Sequence, residues 1–370
     1  MQHLYETAYV CEMGAWCCRT SNRVHTSTST VVPTQRTERD VEEVPVGRVL
    51  VFVNPHSGSG KGVKTFRQRV GPLLRKNCIE YELIITTGPN HAKTVVRSRE
   101  DLNKFNGVII LSGDGLVFEV LNGLFERPDR AAIIPCLPIG IVPSGSGNGL
   151  LSSLFFSCGE PLRNPKFTKR AIEIACSPCA HGQAVNLIHV QTDEANFAAF
   201  LSIGWGLMAE IDIESERWRK PLGSNRFVLG AMIRSLNLRT YRGRLAFKPY
   251  RGGKRGVTAK FDIYGKTAGE RIIAKSEPNP AEEICLSDRP LDGAWRDMHS
   301  EEIGDLEEEI PEDWTLIEDE FVNVYAIVEV SAFRLEPLDS GSYLTVDGEV
   351  INAQRVQAVT TSLKTAIFAP

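Results

Sequence analysis

The chain has 370 residues, of which 42% are hydrophobic and 24% charged, and its formal net charge is −4. This length allows two domains with large cores, and the weak negative charge gives no reason to expect a nucleic-acid partner. No apolar run is long enough to span a bilayer, and the start "MQHLYETAYVCEMGAWCCRT" lacks the basic and apolar regions of a secretory signal.

Residues 1–43 are polar and are predicted to form a disordered N-terminal tail. The adjacent Cys17 and Cys18 in this tail could be acylated, although an inert tail is the simpler interpretation. The nine cysteines of the chain are odd in number and scattered, which favours reduced thiols and a cytoplasmic location. Cys176 and Cys179 form a lone C-x-x-C without a second pair, so we interpret them as structural rather than as a metal or redox site.

Between residues 44 and 193, short apolar runs alternate with segments of helical spacing. The predicted strands are 49–53, 80–86, 107–111 and 138–142, and the predicted helices lie near 64–76, 91–100 and 116–126. This alternation predicts a parallel sheet covered by helices, which is an α/β domain.

Between residues 194 and 360 the pattern becomes strand-like, with runs such as "NFAAFLSIGWG", "RGRLAFKPY" and "SYLTVDGEVI". These runs predict a mainly antiparallel second domain. An acidic stretch at 281–320, which includes "SEEIGDLEEEIPEDW", is predicted to be a solvated loop because charge runs usually lie in water.

Three glycine-rich turns follow predicted strands of the first domain. The first, "VNPHSGSGKG", does not fit the Walker pattern, because Pro55 and Gly62 stand where Gly and Ser or Thr are required. The others are "SGDG" at 112–115 and "GSGN" at 145–148. Ligands of open α/β sheets collect where strand ends meet helix starts, and the N–H groups of a helix start favour anions. Any one of these sequences could be a plain turn, but together they predict a site for nucleotide phosphates.

Asp114 lies between two glycines, so a substrate and a phosphate can both approach its carboxylate closely. A helix N-terminus beside it favours the ionised form. These properties suit a base that takes the proton of an alcohol during phosphoryl transfer. For an isolated Asp, we would prefer the alternative that it caps the helix beginning near Leu116.

The segments "SGDGLVFEVLNGL", "PSGSGN", "GWGLMAEIDIESERWR", "LRTYRGRLAF", "AFRLEP" and "VDGE" together resemble the sphingosine kinases, which are diacylglycerol-kinase-like lipid kinases related to NAD kinases. The resemblance extends over most of residues 44–350. It implies an α/β nucleotide-binding domain of NAD-kinase and diacylglycerol-kinase type over 44–193, followed by a β-sandwich lipid-binding domain over 194–360. It also implies ATP and Mg²⁺ as cofactors and transfer of the γ-phosphate to the primary hydroxyl of sphingosine, giving sphingosine 1-phosphate.

The resemblance assigns roles to single residues. Asp114 is the expected base, and Asp212 is the acid that recognises the amine and hydroxyl of the lipid head. Glu119, one helical turn from Asp114, is a weaker candidate for supporting a metal or the base. The residues expected to contact the nucleotide are Asn54, Pro55, Lys61, Thr86, Ser112, Gly113, Gly115, Gly145, Ser146, Gly147, Asn148, Arg219, Arg226, Asp347, Gly348 and Glu349. No residue is assigned as a metal ligand. Without the resemblance, "EIDIESERWRKPLGSNR" would be interpreted as a surface helix held by i,i+4 pairs.

The expected partners are a sphingoid base lipid and a membrane surface, which a cytoplasmic protein would visit peripherally. No nucleic-acid partner is expected, and a homodimer is left open.

The strand "DEFVNVYAI" runs directly into "VEVSAFRLEP", whereas sphingosine kinases carry several tens of residues between these points. Those residues form strands of the sandwich and line the lipid channel, so a deletion near 326–330 is predicted. This places the lipid pocket in question, and two alternatives to a sphingosine kinase stay open. One is a catalytically impaired regulatory or truncated variant that binds nucleotide only, and the other is a kinase for another lipid such as diacylglycerol or ceramide.

Overall fold

The computed structural model describes residues 46–145, 147–249, 260–262, 298–300, 303–325 and 330–370. Four predicted features lie outside the described residues: the tail 1–43, Ser146, residues 281–297 and 301–302 of the acidic stretch, and the junction 326–329. Glu43–Pro370 forms one compact unit, and the division into two domains at residue 193 stays a prediction.

The first half of this unit follows the alternation of strands and helices in the sequence. Its elements are β1 (Gly47–Val53), α1 (Gly62–Thr65), a π-helical stretch (Phe66–Val70), α2 (Gly71–Lys76), β2 (Ile79–Ile85), α3 (His91–Ser98), a 3-10 turn (Leu102–Lys104), β3 (Gly107–Ser112), α4 (Asp114–Phe125), α5 (Arg130–Cys136), β4 (Ile139–Pro143), α6 (Gly149–Ser157) and α7 (Lys166–Ala175). The strands lie in the order β2-β1-β3-β4 and all pair in parallel. The carboxyl ends of the four strands therefore meet at one edge of the sheet.

Complete burial explains the continuous apolar runs of these strands. Every residue from Val49 to Val53 in β1 has no exposed surface, and all of β3 is buried. Helices α2, α4, α5 and α7 pack against the sheet, as parallel sheets require. The predicted parallel α/β fold of the first half is confirmed.

The second half is mainly antiparallel. Its elements are β5 (His181–Thr192), β6 (Asn196–Ala199), β7 (Ile203–Gly206), α8 (Leu207–Ser215), a 3-10 turn (Glu216–Trp218), α9 (Arg219–Leu222), a second 3-10 turn (Gly223–Asn225), α10 (Arg226–Leu236), β8 (Tyr241–Pro249), β9 (Lys260–Asp262), β10 (Thr315–Phe321), β11 (Asn323–Tyr325), β12 (Val330–Pro337), β13 (Leu344–Val346), β14 (Glu349–Ile351) and β15 (Val356–Ala369). Strands β11-β7-β13-β14 form a separate four-stranded sheet. Its Trp205 lies 6.0 Å, between ring centroids, from both Tyr241 and Phe321 of the larger sheet. The two sheets thus pack face to face, and the predicted sandwich is confirmed.

Strand β15 joins the two halves into one sheet, to which the described residues contribute eleven strands. It pairs antiparallel with β5 along most of its length and with β12 near its start, and it pairs in parallel with β4 at Ile367 and Ile139. Near its end, the ring of Phe368 packs on the parallel strands, in the space left free by the missing side chains of Gly107 and Gly140. A Cβ atom added to Gly107 or Gly140 would lie only 2.8 or 2.9 Å from the Phe368 ring. The sequence pattern ended the sandwich at 360, whereas this strand continues into the first half of the sheet.

The fit of Phe368 predicts a large loss of stability on truncation. The side chain is 1% exposed, so Phe368→Ala is expected to lower the free energy of unfolding by about 3–5 kcal/mol. Phe156→Ala is the matched control, because that ring is 76% exposed and should change stability by less than about 0.5 kcal/mol. Urea unfolding of both variants measures the difference. Equal losses in the two variants would contradict the packing role of Phe368.

The described part of the acidic stretch is fixed to the sandwich rather than free in water. Leu306 and Trp314 are both buried, and Trp314 packs in a cluster with Ala332 of β12. The guanidinium of Arg334 donates to the backbone carbonyls of Asp305 and Glu308, at 2.9 and 2.6 Å. The carboxylates from Glu307 to Glu309 do face solvent, as expected. The predicted loop also ends early, because residues 315–320 belong to strand β10.

Candidate active site

The three glycine turns meet at the carboxyl edge of the parallel sheet, where they form one wall of a cleft of about 770 Å³. The opposite wall comes from α8, the turn after it, the start of α10 and the turn between β13 and β14. The predicted site residues that line the cleft are Asn54, Thr86, Ser112, Gly113, Asp114, Gly115, Gly145, Gly147, Asp212, Arg219, Arg226, Asp347, Gly348 and Glu349. Pro55, Lys61 and Asn148 do not line it.

The glycines are required because the turns pack backbone against backbone. Gly58 has a φ of +55°, and a Cβ there would lie 2.2 Å from the carbonyl oxygen of Ser144. A Cβ on Gly113 would lie 2.4 Å from the carbonyl oxygen of Gly147, and one on Gly145 would lie 2.6 Å from the Gly113 Cα. The first loop therefore supports the other two turns, while Lys61 points into solvent outside the cleft.

This packing predicts the effect of a single methyl group. Gly113→Ala should weaken nucleotide binding by roughly 10-fold or more, because overpacking moves backbone at a cost of about 1–3 kcal/mol. Gly88→Ala is the control, since a Cβ there meets nothing within 4 Å. Isothermal titration with a nucleotide measures both variants. If Gly113→Ala bound the nucleotide with unchanged affinity, close packing of the turns would not be needed for binding.

Asp114 is held by the N-terminus of a second helix. Its Oδ2 accepts the N–H of Gly149 at 2.6 Å, and its Oδ1 accepts the N–H of Leu150 at 3.3 Å. Burial raises the pKa of Asp114 above its usual range, these N–H groups oppose the rise, and the nearby charge of Asp212 adds to it. The carboxylate is therefore fixed in direction and more basic than an ordinary Asp.

Asp212 lies on α8 and is held by Arg226. Nη2 of Arg226 donates to the Asp212 carboxylate at 2.9 Å, and Nη1 donates to its backbone carbonyl at 2.7 Å. Arg226 also contacts Ser215 Oγ at 2.6 Å and Glu216 Oε1 at 2.7 Å. Burial raises the pKa of Asp212, and the Arg226 charge opposes that rise. With both terminal nitrogens engaged, Arg226 acts in this structure as a buried support for Asp212.

Arg219 differs from Arg226 in its surroundings. Its side chain is 45% exposed, against 3% for Arg226, and it pairs with Glu216 at 2.6 Å. That i,i+3 pair matches the surface-helix interpretation of this sequence, yet Arg219 also lines the cleft. Its guanidinium keeps donors that can turn toward a ligand.

The three residues of the D-G-E turn between β13 and β14, residues 347–349, make different contacts. Asp347, with a φ of +52°, accepts the N–H groups of residues 200–202 at 2.9 Å each. Burial raises the pKa of Asp347 to about 7, against the effect of these donors. Gly348 leaves room for Asp212, whose Oδ2 lies 3.3 Å from the position of a Cβ. Glu349 reaches over Gly115, where a Cβ would lie 2.5 Å from its Oε1. Asp347 therefore fixes the turn, and the two residues after it face the cleft.

Glu119 supports the turn at the start of α3. Burial raises the pKa of its carboxyl group, while the backbone N–H groups of Asn90, Ala92 and Lys93 lower it. Its Oε2 is buried without a hydrogen-bond partner, and Glu119 is among the residues that line the cleft. This contact with the start of α3 could not be predicted, because Asn90 and Glu119 belong to different segments of the chain.

Two of the segments that resemble the sphingosine kinases, "LRTYRGRLAF" and "AFRLEP", lie in the sandwich and do not line the cleft. Arg244 of "LRTYRGRLAF" pairs at 3.0 Å with Glu318 and with Glu336 of "AFRLEP". Arg242 pairs with Asp339 at 3.1 Å. These charges hold neighbouring antiparallel strands together. Across the described ranges, no group of three or more His, Cys, Asp or Glu residues could hold a metal ion.

Comparison with known proteins agrees with this arrangement. The model of the diacylglycerol kinase catalytic domain family matches residues 48–185. Sphingosine kinase 1 of Caenorhabditis elegans is 40% identical over 87% of this chain and 81% of its own length. Human sphingosine kinase 1 is 36% identical over 76% of this chain and 65% of its own length. The alignment with the C. elegans protein spans 391 positions, more than the 370 residues of the whole chain, so that relative has residues without a counterpart here.

Two solved structures show lower similarity. A diacylglycerol kinase from Bacillus anthracis is 15% identical with a TM-score of 0.44, and it covers 87% of this chain and 97% of its own. An NAD kinase from Archaeoglobus fulgidus, solved in complex with ATP, is 13% identical with a TM-score of 0.34, and it covers 87% and 93%. The assignment rests on the sequence relatives, whose identity extends over most of both chains. This chain belongs to the sphingosine kinase family of diacylglycerol-kinase-like lipid kinases.

Proposed function

We propose that this lipid kinase transfers the γ-phosphate of ATP to the primary hydroxyl of sphingosine, giving sphingosine 1-phosphate. One observation carries the proposal. Asp114, a half-buried carboxylate with a raised pKa, shares a cleft with Asp212, whose charge adds to that rise. One carboxylate can then take a proton while the other holds the group that carries it.

The glycine-turn wall suits a nucleotide. The cleft, at about 770 Å³, is within the range of small-molecule sites. Backbone without side chains lets phosphates approach the N–H groups of the turns. Arg219 supplies donors for the charge that develops on the transferred group. Mg²⁺ would enter with the phosphates and neutralise part of their charge, since it is usually held by one or two carboxylates plus phosphate oxygens and water.

In the proposed step, the primary hydroxyl oxygen of the acceptor forms a bond to the γ-phosphorus, and the bond from that phosphorus to the β,γ-bridging oxygen breaks. The hydroxyl proton passes to Asp114, and ADP leaves. The N–H groups of Gly149 and Leu150 hold the carboxylate in place during the transfer. A fixed direction toward the hydroxyl is the main contribution that a base of this kind makes.

The acidic side of the cleft favours sphingosine over neutral lipids. Asp212, Glu216 and Glu349 all line it. Burial raises the pKa of Glu349, the charges of Glu119, Asp212 and Glu216 add to the rise, and the charge of Arg219 opposes it. An ammonium group would relieve this repulsion. Diacylglycerol and ceramide carry no positive charge, so the acidic side of the cleft does not favour their binding.

A phosphorylation assay with labelled ATP tests the proposal. Sphingosine, diacylglycerol and ceramide are offered as acceptors in identical detergent micelles, and we expect sphingosine to be phosphorylated fastest. Faster labelling of diacylglycerol or ceramide would assign the chain to that lipid. ATP binding without turnover of any acceptor would support the nucleotide-binding variant instead.

Helix α10 suggests how the chain reaches a lipid in a membrane. Its buried residues are Arg226, Gly230 and Arg234, whereas Met232 is 64% and Leu236 91% exposed. An apolar outer face beside the cleft is typical of a surface that enters the headgroup region. We propose peripheral membrane contact through this face. In the part of the chain that the structure describes, no helix is long and apolar enough to cross a bilayer.

Vesicle sedimentation tests this contact. The double variant Met232→Asp and Leu236→Asp should bind phosphatidylcholine–phosphatidylserine vesicles at least roughly 10-fold more weakly, since a buried side chain of this size contributes about 1.5–3 kcal/mol. Leu316→Asp is the control, because Leu316 is also exposed, at 52%, but lies on β10. Turnover of micellar substrate should stay the same in all three proteins. If the double variant bound vesicles as tightly as the natural chain, this face would be excluded as the membrane contact.

A further inference from the structure

Helix α8 carries Asp212 into the cleft, and a second buried carboxylate on the same helix points elsewhere. Glu210 is 1% exposed and does not line the cleft. It accepts a hydrogen bond from the hydroxyl of Tyr241 at the start of β8. Its Oε2 also lies 3.5 Å from Nε of Arg234 on α10. A buried carboxylate with such partners costs free energy unless each contact is kept.

Arg234 extends this contact along α8. It is 5% exposed and also pairs with Glu214, one turn after Glu210. At the other end of α10, Arg226 holds Asp212. Between the two arginines, Gly230 lets the helices touch, since a Cβ there would lie 3.3 Å from Ile211 Cγ2. The two helices are therefore fixed to each other at both ends by buried charges.

Tyr241 connects this pair of helices to the sandwich. Its ring packs on Trp205, 6.0 Å between centroids, and its hydroxyl reaches Glu210. Glu210 is thus the point at which α8, α10 and the large sheet meet. A shift of α8 would move Asp212 relative to Asp114, which stands on the other wall of the cleft.

We propose that Glu210 is a positioning residue for the phosphoryl acceptor: through Arg234 and Tyr241 it fixes the direction of α8 and so the place of the Asp212 carboxylate. The inference rests on the proposed function for the identity of the acceptor, but its geometric part does not. Misplacement of a substrate-holding group by about 1 Å can cost on the order of 10²-fold in rate.

The test uses Glu210→Gln, which keeps the size of the side chain and removes its charge. We expect kcat/KM for sphingosine to fall roughly 10- to 100-fold, while KM for ATP changes less than twofold. Amide hydrogen exchange should become faster in residues 207–215 and not in the glycine turns. Tyr241→Phe, which removes only the hydroxyl, should act in the same direction with a smaller effect and covers the case in which Glu210→Gln does not fold.

Two further variants distinguish a positioning role of Glu210 from a role in stability alone. The double variant Glu210→Gln and Arg234→Met removes both buried charges, and the groups that then lack a partner, Glu214 and Arg239, are 29% and 46% exposed. It should therefore unfold at a higher denaturant concentration than Glu210→Gln, while the acceptor defect remains. Leu335→Ala in the sandwich core should affect both substrates equally once corrected for folded concentration. The inference would be overturned if the double variant recovered acceptor turnover together with stability. It would also be overturned if amide exchange in α8 were unchanged in Glu210→Gln. Absence of sphingosine turnover in the natural chain would instead contradict the proposed function, and the exchange measurement would still decide the role of Glu210.

Discussion

Asp114→Asn is expected to lower kcat for sphingosine by about 10²–10⁴-fold, the usual contribution of a general base. The amide has nearly the same shape but cannot take the hydroxyl proton. Affinity for ATP should change little, because the glycine turns are built from backbone. One of the N–H groups of Gly149 and Leu150 loses its acceptor, so stability should fall by about 1 kcal/mol, and rates must be compared at equal folded concentration.

The pH dependence of kcat is a second test of the role of Asp114. A base works only when ionised, so kcat should rise with pH through the pKa of Asp114, which burial raises above its usual range. The acidic limb should vanish in Asp114→Asn. Asp129→Asn is the control and should keep the full profile, because Asp129 is 48% exposed and does not line the cleft. A kcat for Asp114→Asn within about threefold of the natural chain would show that another group takes the proton, since a lost base costs far more than that.

Arg226→Ala is expected to lower the free energy of unfolding by about 3 kcal/mol, because the loss of one member of a buried pair leaves the other uncompensated. Asp212 and Glu216 keep some access to water, which limits the loss. The acceptor KM should rise, since Asp212 loses two of its contacts. Arg226→Lys should recover only part of both effects, because an ammonium cannot reproduce the fork.

Arg219→Ala is the matched comparison. Its exposed pair with Glu216 should contribute less than about 1 kcal/mol to stability, so the main effect should be a higher KM for ATP. Denaturant unfolding and initial rates with each substrate varied separate the two arginines. The distinction would be lost if Arg226→Ala unfolded at the same denaturant concentration as the natural chain and changed only the KM for ATP.

The parallel sheet could be predicted because its signals are local. A strand such as β3 is an unbroken apolar run followed at once by a glycine turn, and Asp114 stands within that turn. The direction of the Asp114 carboxylate could not be predicted, because its partner Gly149 belongs to another strand–helix junction. Nucleotide contact by Arg226 was predicted from the resemblance and stays untested; its burial depends on Gly230, whose role appears only once α8 and α10 are packed.

Strand β15 was missed for a different reason. Its sequence, "VQAVTTSLKTAIFA", mixes threonine, serine and lysine with apolar residues, so it does not show the continuous run of a buried parallel strand. Its pairing with β4 joins residues more than two hundred positions apart. Strand β10 was likewise hidden, since the acids of "TLIEDEF" lie on an edge strand where charge is tolerated and even favoured.

The position of β15 sets the order in which the molecule can be completed during synthesis. Strands β1 to β4 leave the ribosome before the rest of the sheet, and among the described residues it is those near 368 that cover the edge of β4 and the space over Gly107 and Gly140. The nascent first half therefore exposes an unpaired edge and a gap in its core while the more than two hundred residues between Pro143 and Ile367 are made. Chaperones should bind this part of the nascent chain for longer than they bind an α/β domain closed by its own strands. A ribosome-stalled chain ending before β15 should accordingly be digested by protease within the first half as well as the second.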